Sequence, residues 1–344
     1  MLVLAIESTC DETAAAVLEA PRRIVSQVVH SQVPSHKRFG GVVPEVASRL
    51  HLQLLAPAVL QTLEQAGISM ADIGLIAVAH RPGLIGGLLV GVTMAKGLSL
   101  MTGKPLVMVD HLHGHIMACD LVEPIHYPCI AGIFSGAHCN IYYGSSGLEW
   151  ELLARTRDDA PGEAFDKVAK LLELPYPGGP SIQAFSADCS GNPLSLPSPL
   201  PASLSGDFSF SGIKTAVLYS LRGTNGRSAC PRDEWPLLAA SFQNVVAGAL
   251  AKRMCELLMA RGCRHLYVGG GVACNKRLRT LTASLTAEIG AQSHFAPLSL
   301  CVDNAAMIAR AGIILHEAGI VSPLDGDVGT YSELGLPTAE NTIG

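Results

Sequence analysis

Short apolar runs separated by small polar turns set the pattern of the chain. Residues 2–7 (LVLAIE) read as a buried strand, a polar turn follows at 8–13, and 14–19 reads as a second strand. The unit recurs at 129–143, where CIAGIF, the turn 135–140 and IYY follow one another. Such turns present N–H groups and hydroxyls toward a phosphate. The repeat predicts a duplicated two-lobe fold with a nucleotide between the lobes.

Elsewhere the period changes. Residues 45–65 carry Val46, Leu50, Leu54, Leu55 and Val59 at helical spacing, and Pro57 is expected to kink or divide that helix. Residues 73–79 read as a strand, 87–102 as a helix entered through glycines, and 105–109 as a strand running into His111. Residues 237–261 read as a long helix, and 265–268 as a strand leading to the glycines at 269–271. The stretch 190–206, rich in Pro, Ser and Leu, reads as a surface loop or lid. Strands alternating with helices make both lobes α/β.

Composition narrows the picture. The 344 residues leave room for two cores, and a charged fraction of 15% against 49% hydrophobic implies large cores and buried partner surface. A net charge of −5 gives no general basic footprint for nucleic acid, so RNA contact would fall to a partner or to local patches; the compact basic clusters at 22–23, 37–38 and 277–279 read as solvated faces before RNA contacts. The ten cysteines form no close CxxC pair, which argues against a zinc ribbon or an iron–sulfur cluster. Cys129 and Cys255 read as buried free thiols of a reducing cytosol. The start MLVLAIESTCDET lacks the basic region of a signal peptide. The apolar stretch 83–101, with five glycines and Lys96, reads as a packed helix rather than a membrane span, and a cytoplasmic location is expected.

The densest chemistry lies at 110–116, Asp-His-Leu-His-Gly-His-Ile. His111 and His115, four apart, share one face of a helix and can bind one metal, while Asp110 can cap that helix. A zinc protease would carry a glutamate directly after the first histidine, where Leu112 stands. In YVGGGVACN (267–275) a strand, three glycines and Asn275 point to a nucleotide; the amide would pair with a purine edge or cap the next helix. Asp166, on a helix beginning near Pro161, and the wall Gly178–Gly179 suit the two hydroxyls of a ribose, or a surface helix and a proline-braced turn. Asp303, in CVDNAAM (301–307), either caps a helix or completes a two-histidine, one-carboxylate metal set; spacing does not choose.

Taken in order, IESTCDET (6–13), FGGVVPEVASRLH (39–51), VDHLHGHI (109–116), FSGAH (134–138), DDAPGEAFDKVAKLLELPYPGGP (158–180), FSFSGIKTAV (208–217), SFQ (241–243), GGGVACN (269–275) and CVDNAAMIA (301–309) resemble the universal threonylcarbamoyl-transferase family. The likeness is to its bacterial branch, once described as O-sialoglycoprotein endopeptidases, and runs along nearly the whole chain. It implies a two-lobe fold of the acetate kinase, heat-shock chaperone and actin type, with duplicated ribonuclease-H-like cores and a nucleotide cleft between them. Residues 1–110 would form the first lobe, joined by a C-terminal helix from about 322–344, and 111–321 the second.

The implied reaction moves threonylcarbamoyl from threonylcarbamoyl-adenylate (threonylcarbamoyl-AMP) to the exocyclic amine of the adenosine just 3′ of the anticodon, in tRNAs reading codons that begin with A. The resemblance makes His111, His115 and Asp303 the ligands of one divalent metal, iron (Fe2+) foremost, with zinc or magnesium as alternatives. It makes Phe134, Ser135, Gly136, Ala137, His138, Asp166, Gly179 and Asn275 the adenylate-binding set, and Asp11 and Glu12 the acidic residues near the reacting centre. The implied partners are tRNA through its anticodon stem-loop, an inactive paralogue forming a heterodimer, and a small ATPase. A scaffold subunit without catalysis would need neither the metal set nor the acidic turn.

Some positions depart from the family pattern. Ser-Gly-Ala-His-Cys replaces the usual Ser-Gly-Gly-His-Thr, so Ala137 adds a methyl group and Cys139 loses a hydroxyl. His113 replaces a common glutamate and reads as an exposed side chain, with a spare metal-binding group as the alternative. Gln183 stands where a charged residue is often found and is left out of the site. Pro161 suits a helix's first turn.

Overall fold

The computed structural model describes residues 1–189, 194–201, 205–223 and 228–336. Strands β1 (Leu2–Glu7), β2 (Glu12–Glu19) and β3 (Arg23–Ser31) form an antiparallel meander. The short α1 (Val33–His36) and long α2 (Pro44–Ala66) lead to β4 (Ile73–Arg81), α3 (Ile85–Thr102), β5 (Leu106–Asp110) and α4 (His111–Asp120). The sheet order is β3-β2-β1-β4-β5, with β4 parallel to both β1 and β5.

The second sheet repeats this plan. Strands β6 (Cys129–Phe134), β7 (Cys139–Gly144) and β8 (Trp150–Arg155) precede α5 (Pro161–Leu171), α6 (Gly178–Phe185), α7 (Ser211–Arg222) and α8 (Trp235–Ala260). Then come β9 (His265–Gly269), α9 (Lys276–Glu288), β10 (Gln292–Phe295), the short α10 (Leu298–Cys301) and α11 (Ala305–Glu317). Read as β8-β7-β6-β9-β10, the order matches the first sheet, with β6 antiparallel to β7 and β9 parallel to both β6 and β10. The two hairpins seen in the sequence thus occupy equivalent places in the two sheets.

Two compact units result: Met1–Ile125 with Ser145–Glu151 and Ala296–Gly344, and His126–Gly144 with Leu152–Phe295. Residues 322–336 run in turns and bends instead of the helix expected from about 322, and 337–344 lie outside the described residues. Of the expected loop 190–206, residues 190–193 and 202–204 lie outside them as well; 194–201 carry no helix or strand.

In the first unit, Leu4 and Ile6 pack with Leu55, Ala58 and Val59 of α2 and with Val92 and Ala95 of α3. The buried face of α2 is rotated from the one the apolar spacing predicted and shares only Leu55 and Val59 with it. Ala47, His51, Leu55, Ala58, Val59, Thr62 and Leu63 are buried, whereas Val46, Leu50 and Leu54 are only half-buried. Small and hydrogen-bonding side chains let α2 lie close to the sheet: Thr62 donates to Ala15 O (3.2 Å), and Ser26 donates to Thr62 O (2.7 Å). Pro57 does not divide α2. Its ring and Gln53, whose carbonyl loses its helical partner, both lie on the exposed side of the helix.

Helix α3 is, among the described residues, the one helix long and apolar enough to cross a membrane. Its inner face is committed to the sheet: a methyl group on Gly91 would overlap Ser8 Oγ, and one on Gly87 would overlap Ser8 O. Ser8 Oγ donates to Gly87 O (3.0 Å), so these glycines seat the helix directly on the first turn.

Candidate metal centre and nucleotide site

The strand β5 ends at Asp110, whose Oδ1 accepts from Leu112 N (2.9 Å) and so starts α4. One turn of that helix brings His111 and His115 together, with ring centroids 4.6 Å apart. Asp303 arrives from the turn before α11. It does not cap that helix: Asn304 does, accepting from Met307 N (3.0 Å). The Asp303 carboxylate is thereby released toward the histidines. Its Oδ1 lies 3.1 Å from His115 Nε2 and 3.5 Å from His111 Nε2.

Two ligands bonded to one ion at about 2.1 Å stand roughly 3.0–3.4 Å apart, so these separations fit a single cation. The ligand atoms of all three residues fall within 4.8 Å of one another. Neither ring nitrogen of the fully buried His115 has a hydrogen-bond partner among the described residues; its approach to Asp303 lacks hydrogen-bond geometry. An unsatisfied imidazole beside a carboxylate and a second imidazole is the donor set a metal completes.

The surroundings are acidic. His111 Nδ1 lies 2.9 Å from Glu7 Oε2 and 3.3 Å from Thr9 Oγ1. Burial by itself would lower the His111 pKa, but Glu7 and then Asp303 outweigh it and hold the ring at about 9. Burial and the neighbouring His111 charge lower that of His115. Glu12 is raised well above the carboxylate range by burial, then by Asp303 and Asp11. Cys10 is raised by burial and the same acids. Asp11 and Glu12 therefore share one electrostatic neighbourhood with Asp303. His51 Nε2 donates to Cys10 O (2.9 Å), fixing this acidic turn to α2.

His113 is not exposed. It is 3% accessible, Nε2 donates to Gly147 O (2.9 Å), and burial pushes its pKa down to about 4. Its position on a helix enclosed on all sides overrides the polarity of the side chain.

The predicted nucleotide residues gather in the second unit. The turn after β6 closes through Ser135 N donating to His138 O (2.9 Å), while Ser135 Oγ accepts from Ala137 N (3.3 Å) and His138 N (3.1 Å). Two of the N–H groups expected to meet a ligand are thus taken within the turn. Gly162 N donates to Ser135 O (3.1 Å), and Gly270, at φ 85°, packs against the Phe134 carbonyl. Any side chain at 162 or 270 would push this turn away. Asp166 Oδ1 accepts from Gly178 N (2.7 Å), and Gly179 opens onto free space.

Asn275 caps α9. Its Oδ1 accepts from Leu278 N (3.1 Å), and its Nδ2 donates to Gln243 Oε1 (2.8 Å). Gln183 Oε1 accepts from Lys276 N (2.8 Å) beside it. Gln243, Glu7 and Asn304 are partners that single-residue reading passed over. Only Glu7 left a trace, as a carboxylate closing an otherwise apolar strand.

Fold and site together define an actin-like two-lobe α/β protein with a candidate mononuclear metal centre. Component A of (R)-2-hydroxyglutaryl-CoA dehydratase from Acidaminococcus fermentans has the same fold: TM-score 0.55 at 15% identity, covering 93% of this chain and 99% of that one. The family model TsaD, tRNA N6-adenosine threonylcarbamoyltransferase, matches residues 23–310. The chain belongs to this family and is a transferase enzyme. It is 46% identical over 327 residues to the tRNA N6-adenosine threonylcarbamoyltransferase of Symbiobacterium thermophilum, covering 94% of each chain. It is 43% identical over 345 residues to that of Bacillus subtilis strain 168, covering 99% of this chain and 96% of the relative.

Proposed function

We propose that the chain transfers threonylcarbamoyl from threonylcarbamoyl-adenylate to N6 of the adenosine just 3′ of the anticodon, in tRNAs reading codons that begin with A. The observation that carries this reading is the cluster of buried His111 and His115 with half-buried Asp303, in which His115 is unsatisfied, in a member of this family. In the step, the amine nitrogen bonds to the carbamoyl carbon, the carbon–oxygen bond to phosphate breaks, and AMP leaves with that electron pair. The amine proton passes to Asp11, since burial and the neighbouring acids keep the Glu12 carboxyl protonated. Much of the rate comes from holding a weak nucleophile against the carbonyl.

The turn 134–138, Asp166, Gly179 and Asn275 form the adenylate-binding set. Gly179 leaves room for a ribose beside Asp166, and the Asn275 amide is already oriented by Gln243. When bound, a divalent ion at 111, 115 and 303 supplies Lewis-acid polarisation to a donor oxygen. Two imidazoles with one carboxylate favour iron(II) over magnesium, which prefers oxygen ligands throughout. Zinc is the alternative that metal analysis of the purified protein decides.

An apolar outer surface supports an inactive paralogue as heterodimer partner. Leu52 and Leu60 on α2 and Leu89, Leu100 and Met101 on α3 are exposed. Each set falls on one side of its helix, and the two helices pack side by side. A small ATPase and the anticodon stem-loop complete the proposed assembly.

The test is a transfer assay with the adenylate donor, unmodified tRNA and each combination of partners, scored for modified adenosine. Transfer that disappears in His115→Ala together with the bound metal supports the reading. A folded protein inactive in every combination would overturn it.

A further inference from the structure

We infer that Glu7 is the positioning residue of the metal centre, holding His111 with Nε2 turned to the ion. The inference rests on the metal reading above. Glu7 is the last residue of β1 and is wholly buried. A carboxylate placed there is strongly destabilising unless it is fully engaged, so its contacts carry meaning. Oε1 accepts from Thr9 N at 2.6 Å, and Oε2 lies 2.9 Å from His111 Nδ1, a residue 104 positions away. Thr9 Oγ1 lies 3.3 Å from the same nitrogen.

A carboxylate accepts only, so Nδ1 must carry the proton. In the neutral ring that leaves the lone pair on Nε2, the nitrogen 3.5 Å from Asp303 Oδ1. A carboxylate behind the ring also makes the ligating nitrogen more basic. His115 offers a contrast within the same site, since its Nδ1 has no hydrogen-bond partner among the described residues. Of the two rings, His111 is the anchored one, and the end of β1 supplies the anchor.

Zn2+ binding tests this without recourse to turnover. Affinity is measured by chelator competition for the wild type, Glu7→Gln and His115→Ala, with folding followed by circular dichroism. Glu7→Gln is expected to bind Zn2+ about 10–100-fold more weakly while remaining folded. In the zinc-loaded wild type, long-range 1H–15N NMR of the imidazoles is expected to show His111 protonated at Nδ1 and bound through Nε2. Ligation through Nδ1 would overturn the inference even if Glu7→Gln failed to fold. Zn2+ held by the wild type, lost in His115→Ala and unchanged in a folded Glu7→Gln would remove this inference alone. A wild type that binds no Zn2+ would remove the metal reading and this inference with it.

Discussion

Ser332 donates from Oγ to Asp110 Oδ2 at 2.6 Å, tying the C-terminal segment to the residue that starts the metal-bearing helix. The other Asp110 oxygen caps α4, so the carboxylate is satisfied from both sides although burial raises its pKa. Ser332→Ala leaves one oxygen without its partner. The expected loss is about 1 kcal/mol, at the low end for an unsatisfied buried acceptor because Ser332 is only half-buried and water can reach the gap. Denaturant unfolding of the variant beside the wild type measures it.

Gly91→Ala tests the seat of α3. Alanine gains about 1 kcal/mol of helix propensity over glycine. Against this, the new methyl group overlaps Ser8 Oγ, and overpacking costs about 1–3 kcal/mol. Overpacking is expected to win, lowering the melting temperature and displacing the turn that carries Asp11 and Glu12. Gly97→Ala on the same helix has open space around it and should stabilise the protein instead.

His80 predicts a pH dependence. Burial, then the charge of Arg81, lowers its pKa to about 4, while its hydrogen bond to Val109 O (3.1 Å) and Glu333 oppose the fall. In the unfolded chain it titrates near 6.5, so between about pH 6.5 and 4 the unfolded state binds the extra proton. Stability from this residue is present above that window and is lost as pH falls through it, by roughly 1–2 kcal/mol between pH 7 and pH 5. His80→Gln should flatten that part of the pH–stability curve. An unchanged slope would show that other groups carry it.

Leu60 and Leu100 are 68% and 73% exposed. If a paralogous subunit covers them, Leu60→Glu and Leu100→Glu should each weaken heterodimer formation at least tenfold, because a buried charge lacks a partner. The melting temperature of the isolated chain should stay within about a degree, since surface changes of this kind cost under about 0.5 kcal/mol. Analytical ultracentrifugation with the partner reads the first effect, and calorimetry the second.

Local pattern made the hairpins, the long helices and the His111–His115 pair legible, because each rests on residues close in sequence. What escaped was set by distant contacts. The buried face of α2 was misread because Ala47, His51 and Thr62 pack there while Leu50 and Leu54 do not. His113 looked solvent-facing until the chain around Gly147 enclosed it. Spacing left Asp303 suspended between cap and ligand. Asn304 resolves it by taking the cap, a choice that requires the geometry of α11. Family order had paired Asp303 with the histidines, but the residue that frees it was visible only in the fold.

The turn after β1 and the turn after β6 are the same architectural corner used twice. In one copy it carries Cys10, Asp11 and Glu12; in the other, Ser135, Gly136, Ala137 and His138. One corner thus carries two acidic side chains and the other none, so the two copies differ in charge while sharing a backbone plan.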